Sequence, residues 1–204
     1  SSTLVANPGC YPTVAILSLA PAIKAGLVES DLIVDAKSGV SGSGRALSLT
    51  NHFSEITENV MAYGLSGHRH LPEIIQELEG FKIGGSLRVT FVPHLVPMVR
   101  GILASCYARL KESISTREIQ AIYTDFYSDN PFVRIVDTPP MTKHTLGSND
   151  CIIHPVVDNR TGLLTIIGCI DNLVKGAAGQ AVQNMNVMCG FSEEEGLGQL
   201  ALYP

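Results

Sequence analysis

The apolar positions of this chain fall into short blocks separated by Gly, Pro and Ser, and most blocks predict one element. Residues 13–24 have helical composition, with Gly26 as the stop. DLIVDAK, residues 31–37, reads as a short strand that runs into the loop SGVSGSGR, residues 38–45. Residues 46–67 are polar and predict no element. HRHLPEIIQELEG, residues 68–80, predicts a helix: Pro72 suits a first helical position, Glu73 a first turn and Gly80 a stop. Residues 86–92 and 101–110 predict strands, separated by the proline-bearing PHLVPMVR. Ser115 and Glu118 have capping-box spacing and open a helix to about Tyr127. Residues 132–136, 151–157 and 163–170 predict strands, the last two joined across residues 158–162 as a hairpin. A last helix is expected over about 172–187, ahead of a Gly-rich acidic tail.

Short strands mixed with a few helices predict an α+β domain, its sheet covered by helices mainly on one face. A length of 204 residues suits one domain, and no repeat, low-complexity tract or linker divides it. Hydrophobic residues at 45% against 16% charged allow a substantial core. Net charge is −5 with scattered Lys and Arg, which disfavours nucleic acid or an anionic membrane as partner. The start, SSTLVANPGC, has no secretory-signal character. The most apolar stretch, residues 13–23, is broken by Pro21 and too short to span a bilayer. The five cysteines are odd in number, widely spaced and form no CxxC pair. They argue against a disulfide framework or zinc ribbon and suit free thiols in a reducing cytoplasm.

Candidate chemistry begins with ANPGCYPT, residues 6–13, where two prolines and a glycine crowd Cys10. A thiol attacks only as thiolate, so it needs a lowered pKa or a neighbouring base. Pro8-Gly9 allows a sharp turn, and Pro12, whose missing N–H costs nothing in a first turn, starts a helix just after the thiol. Cys10 would then sit at a helix mouth, among unpaired N–H groups. It is equally readable as a small buried hydrophobe at a loop–helix junction. Cys106, Cys151, Cys169 and Cys189 lie in apolar contexts and read as core.

A base must come from elsewhere in the chain. His68 and His70 flank Arg69 at a predicted helix mouth and titrate near neutrality, although a polar helix cap is the plainer reading. HRH with a cysteine lacks a third and fourth metal ligand, so no metal is expected. His52, His94, His144 and His154 have weaker contexts. The loop SGVSGSGR could offer backbone N–H groups, serine hydroxyls and Arg45 to an anion. It is neither a Walker A loop nor the dinucleotide fingerprint, because its glycines are spaced GxxGxG.

Together, ANPGCYPT (6–13), KSGVSGSGR (37–45), GHRHLPEI (67–74), FVPHLVPMVRGI (91–102) and DNLVKGAAGQAVQN (171–184) resemble the N-acetyl-γ-glutamyl-phosphate reductase family of arginine biosynthesis. The segments occur in family order and cover nearly the whole chain. Ser43 departs from the Ala common there. Aspartate-semialdehyde dehydrogenases share the chemistry but lack HRHxPEI. The resemblance implies that Cys10 attacks an acyl phosphate, expels phosphate and becomes a thioester, which NADPH reduces to the semialdehyde. It implies His70 as base, in preference to His68. Ser38, Gly39, Ser41 and Gly42 would lie along cofactor and substrate phosphate, Asn172 would approach the nicotinamide, and Arg45, Arg69 and Arg100 would meet the substrate's anionic ends.

The resemblance further implies a glyceraldehyde-3-phosphate dehydrogenase-like C-terminal fold with a mixed, mainly antiparallel sheet. It implies a cytoplasmic homodimer or homotetramer, and a Rossmann cofactor domain that this chain does not contain. Residues 1–204 are then expected to be the catalytic and dimerisation portion, inactive alone, with the helix at about 172–187 packing on the missing domain. Two alternatives stay open: a cysteine hydrolase or acyltransferase without nicotinamide, and a non-catalytic oligomerisation domain.

Overall fold

The computed structural model describes residues 2–203 apart from Ile83. Helix α1 (Cys10–Lys24) leads into strand β1 (Val28–Ser38). Two 3-10 turns (Val40–Ser43 and Leu49–Asn51) and the single-turn helix α2 (Phe53–Ile56) follow. Next come β2 (Met61–Ala62), α3 (Leu71–Glu79), β3 (Arg88–Leu95), β4 (Ile102–Leu110), α4 (Thr116–Phe126) and β5 (Val133–Ile135). The chain ends with β6 (Cys151–Asp158), β7 (Leu163–Ile170), a π-helical segment (Val174–Ala178) and α5 (Gly179–Cys189).

The strands form one seven-stranded sheet in the order β2-β3-β1-β4-β7-β6-β5. The pairs β1–β3 and β5–β6 are parallel, and the other four pairs are antiparallel. This is the mixed, mainly antiparallel sheet expected from the sequence. The β6–β7 hairpin also forms as expected, with Gly162 at a positive φ of 66° in its turn. The last expected helix divides into two segments: Gly176 N–H bonds Asp171 O and Ala178 N–H bonds Leu173 O before α5 begins.

Helix α1 crosses the middle of the sheet against β1, β4, β6 and β7, with α3 and α4 on either side of it. Register explains the fit. Ala36 on β1 pairs with Ala104 on β4, and Ala104 with Gly168 on β7, so one row beneath the helix carries only small residues. A Cβ on Gly168 would stand 2.4 Å from Ser18 Oγ and 2.9 Å from a Val14 methyl, so the helix rests on bare backbone there. The core consists of Val14, Leu19, Ile74, Leu78, Ile102, Ile119, Tyr123, Ile153, Leu164 and Ile166, all buried.

Pro21 does not end α1. It does remove the N–H that Leu17 O would accept. The hydroxyl of Tyr127 donates to Leu17 O at 2.6 Å instead, and that of Tyr123 to Ser18 O at 2.7 Å. Both tyrosines are carried by the α4 region, whose Ser115–Glu118 capping box forms as the sequence predicts. The buried side of α4 is thus keyed to the Leu17 carbonyl that Pro21 leaves without its helical donor and to the Ser18 carbonyl beside it.

Among the described residues the opposite face of the sheet carries no helix. Its paired positions include Ile33, Asp35 and Lys37 on β1, His94 on β3, Leu103, Ser105 and Tyr107 on β4, and Ile167 on β7. Asp35 gathers Lys37 Nζ at 2.7 Å and His94 Nδ1 at 3.2 Å on this face. Among the described residues no helix is long and apolar enough to cross a membrane.

Tyr127→Phe is expected to lower unfolding stability by about 1–3 kcal/mol, because it strands the buried Leu17 carbonyl. Chemical denaturation measures it, and an unchanged midpoint would remove the hydroxyl from this role.

Candidate active site

The first turn of α1 lacks the usual dressings of a helix start. Its N-cap, Gly9, has no side chain to offer, and no acidic residue lies in the first turn. Helix α1 begins at Cys10 itself rather than at Pro12. Gly9 O accepts from Thr13 N at 3.0 Å and Thr13 Oγ1 at 2.9 Å, while the N–H groups of Cys10 and Tyr11 bear on the Cys10 sulfur. Half-buried, the thiol is still pushed above its ordinary pKa: burial raises it most, and those N–H groups and Arg69 lower it less.

His70 is the N-cap of α3, one residue before the start expected from Pro72. Its ring lies directly over Gly9, where a Cβ would stand 2.5 Å from His70 Nε2. Gly9 has ordinary extended backbone (φ −71°, ψ 158°), so glycine is required by the imidazole and not by a turn. Burial, then His68 and Arg69, depress His70 to about 4, which leaves the imidazole neutral at pH 7. His68 Nδ1 accepts the His70 N–H at 3.1 Å. The His68 ring sits edge-on among Tyr11, Tyr63, Phe91 and His70. Tyr63 OH donates to Tyr11 OH, which donates to His94 O.

The third wall is the turn after β7. A Cβ on Gly176 would stand 2.8 Å from Cys10 Cβ, so the π-helical segment packs directly against the Cys10 side chain. Asn172 is buried; its Oδ1 accepts from Gly101 N at 2.7 Å and its Nδ2 donates to Ser41 Oγ at 2.9 Å. Sequence reasoning missed Asp171. Fully buried, it accepts from Leu173 N, Val174 N and Gly147 N and pairs with Arg100 Nη2 at 2.8 Å. Arg100 is therefore engaged within the chain and holds this turn. The only sequence signal was the Asp-Asn pair closing an apolar strand.

The 38–45 loop differs from its expected chemistry. Gly39, Val40 and Ser41 N–H groups donate to Gly101 O, Met98 O and Val99 O, and Gly42 N–H returns to Gly39 O. These amides cannot also cradle an anion. A Cβ on Gly39 would meet Val99 O at 2.7 Å, so that glycine serves close packing of two loops. Ser38 is buried, and its hydroxyl donates to Gly39 O. Free donor capacity rests with the Ser41 hydroxyl beside Asn172. Arg69 is exposed next to the two histidines. Arg45 lines an apolar groove of about 1300 Å³ with Leu47, Phe53 and Val99, and Ser41 stands at its wall. Neither Cys10 nor His70 lines that groove.

Cys106, Cys151 and Cys169 are core, each pushed up to about 12 chiefly by burial. Cys189 is not core: it ends α5 and is exposed, whereas α5 buries Gly179 and Asn186. Among the described residues no group of three or more His, Cys, Asp or Glu could hold a metal.

A thiol at a helix mouth with an imidazole over its N-cap is an arrangement that can support covalent catalysis by sulfur. The family model described as "Semialdehyde dehydrogenase, dimerisation domain" matches residues 10–172. The chain belongs to this semialdehyde dehydrogenase family. Its curated relatives include the N-acetyl-gamma-glutamyl-phosphate reductases of Dehalococcoides mccartyi, 59% identical over 100% of this chain and 60% of that protein. The enzyme of the same name from Pelotomaculum thermopropionicum is 53% identical over 98% of this chain and 58% of that protein. The chain thus spans about 60% of the length of the relatives it matches. Aspartate semialdehyde dehydrogenase II from Vibrio cholerae superposes with a TM-score of 0.71 at 16% identity, over 91% of this chain and 62% of that one. A probable aspartate-semialdehyde dehydrogenase from Pseudomonas aeruginosa gives 0.71 at 18%, over the same shares of the two chains. The fold is therefore the glyceraldehyde-3-phosphate dehydrogenase-like one shared by semialdehyde dehydrogenases.

Two outcomes are expected. Gly9→Ala pushes the His70 ring away from the α1 mouth, so NMR titration should show His70 rising from about 4 toward its ordinary 6.5; an unmoved titration would mean the contact constrains nothing. In brief alkylation at neutral pH, Cys189 and Cys10 should label while Cys106, Cys151 and Cys169 stay protected. Equal labelling of all five by mass spectrometry would contradict the burial described.

Proposed function

We propose that this chain is the catalytic and dimerisation part of an NADPH-dependent N-acetyl-γ-glutamyl-phosphate reductase acting in arginine biosynthesis in the cytoplasm. The observation that carries the reading is Cys10 at the open mouth of α1 with the neutral His70 imidazole over its N-cap. The named relatives share this chain's full length at high identity, which supports the choice of substrate.

The geometry favours a proton-coupled attack. A neutral thiol beside a neutral imidazole holds no ion pair at rest, so the proton moves as the carbon–sulfur bond forms. Sulfur attacks the carbonyl carbon of the acyl phosphate, the carbon–oxygen bond to phosphate breaks, and phosphate leaves with its bonding pair. The thiol proton passes to His70. Tyr11 and Cys10 N–H groups stabilise negative charge on sulfur, and exposed Arg69 offers a cation to the substrate's anionic groups. The product of this half is a thioester on Cys10, a far better hydride acceptor than a carboxylate. His70 holds the proton needed when sulfur later departs from the reduced carbon.

A nicotinamide cofactor, when bound, supplies the hydride. The residues present fit one edge of it. The Ser41 hydroxyl of the 38–45 loop and the Asn172 amide of the turn after β7, bonded to each other at 2.9 Å, would hold that edge, with Ser38, Gly39 and Gly42 beside Ser41 in the chain. No strand–Gly-rich turn–helix fingerprint occurs among the described residues, so the rest of the cofactor needs a Rossmann domain. Helix α5 carries exposed Met185, Val187 and Met188, which suits packing on that domain. The helix-free sheet face suits a second copy of this chain, as the family description of a dimerisation domain supports.

The test mixes this chain with a separately made cofactor domain of the same gene and follows NADP⁺ reduction by N-acetylglutamate semialdehyde and phosphate. Activity is expected from the mixture, none from the chain alone, and at least a 10³-fold loss with Cys10→Ser. Turnover that survives Cys10→Ser would sink the mechanism. Ile33→Asp, placing a charge on the open sheet face, is expected to shift sedimentation toward monomer; an unchanged profile would move the interface elsewhere.

A further inference from the structure

The two reacting groups reach the site on different elements, Cys10 on α1 and His70 at the start of α3, and the spacing between them must be fixed by contacts across that gap. One side-chain hydrogen bond joins the two elements among the described residues. Glu73 Oε1 accepts the N–H of Gly9 at 3.0 Å. Glu73 follows His70 by one helical turn, so both project from the same side of α3 toward the mouth of α1. Gly9 is consequently gripped twice from α3. Its N–H is held by the Glu73 carboxylate, and its Cα lies against the His70 ring, where a Cβ would be 2.5 Å from Nε2. On the other flank, Gly176 presses on the Cys10 Cβ. Shifting Gly9 by even a fraction of an ångström would therefore move the thiol and the imidazole relative to each other.

We propose that Glu73 is a positioning residue for the Cys10–His70 pair: its bond to the Gly9 amide sets the register of α1 against α3. This rests on the reading of Cys10 as the nucleophile. Helix α1 supplies no capping side chain and no first-turn acid of its own, so the anchor for its N-terminal peptide comes from α3. An acid within α1's first turn would neutralise the positive helix end that the developing thiolate needs. An acid delivered from α3 onto the residue before the helix holds the backbone while the N–H groups of Cys10 and Tyr11 still face sulfur. Glu73 acts against a thiolate only weakly: it is the smallest of the influences on Cys10, behind burial, the two backbone N–H groups and Arg69. Its value here is geometric.

The discriminating variants are Glu73→Gln, which keeps an acceptor oxygen at the same reach, and Glu73→Ala, which removes it. Both are made in the Cys189→Ser chain. Two readouts are followed: the NMR titration of His70, and acetylation of Cys10 by acetyl phosphate, read by intact mass. With Glu73→Gln, His70 should stay near 4 and acetylation within about threefold of the parent. With Glu73→Ala, His70 should move toward 6.5 and acetylation should fall about tenfold or more. Where labelling of Cys106, Cys151 and Cys169 shows that Glu73→Ala has unfolded, Glu73→Asp takes its place, charged but one methylene too short. The proposal is overturned when the shortened variant leaves both readouts at parent values, or when Glu73→Gln loses as much as Glu73→Ala. A parent chain whose Cys10 takes no acetyl group would count against the acyl-phosphate reading, and the His70 titration alone would then decide the role of Glu73.

Discussion

Helix α1 lies closer to its surroundings than any Cβ would permit at three glycines, and the candidate site depends on that closeness. Gly168 lets its middle rest on β7, Gly176 lets the last turn segment touch Cys10, and Gly9 lets His70 lie over its first peptide. A tightly packed interior transmits such constraints because it has no slack to absorb them. The C-terminal half of the helix is held as firmly, by tyrosine hydroxyls on the carbonyls around Pro21. Cys10 is thus the first residue of a helix held at its start, middle and C-terminal half.

Burial dominates the electrostatics of the pair. It raises the Cys10 thiol and lowers the His70 imidazole, so each prefers its neutral form. Negative charge on the sulfur is favoured locally by the N–H groups of Cys10 and Tyr11. Arg69 is adjacent to both. Its charge lowers the pKa of both the thiol and the imidazole.

The surfaces fit a chain that works beside other structure. The sheet is covered by helices on one face alone, and the bare face mixes Ile33, Leu103, Tyr107 and Ile167 with the Asp35 cluster. Helix α5 turns Cys189 and several apolar side chains outward. The core itself is closed and continuous from α3 to β6.

The local signals in the sequence were sufficient for most elements. The capping box at Ser115, the hairpin before β7 and the helix opened by Pro72 form close to their expected places because their chemistry is short-range. Cys10, His68, His70 and Asn172 were singled out from motif resemblance; the fold sets His70 over Gly9 with His68 beside it, and bonds Asn172 to Gly101 and Ser41. Helix α1 runs through Pro21 because packing outweighs a missing hydrogen bond once Tyr127 replaces it. The loop glycines at 39 and 42 read as an anion cradle, yet their amides close onto neighbouring backbone. Arg100 read as a substrate cation, yet it pairs with a buried Asp171 far from it in the sequence. The sequence by itself determined which residues could do chemistry and which segments would be helix or strand, since those follow from side-chain type and spacing of a few residues. Only the tertiary structure decided which polar groups remain free, which glycines are needed for contact and how Glu73 meets Gly9, because those depend on distances between segments far apart in the chain.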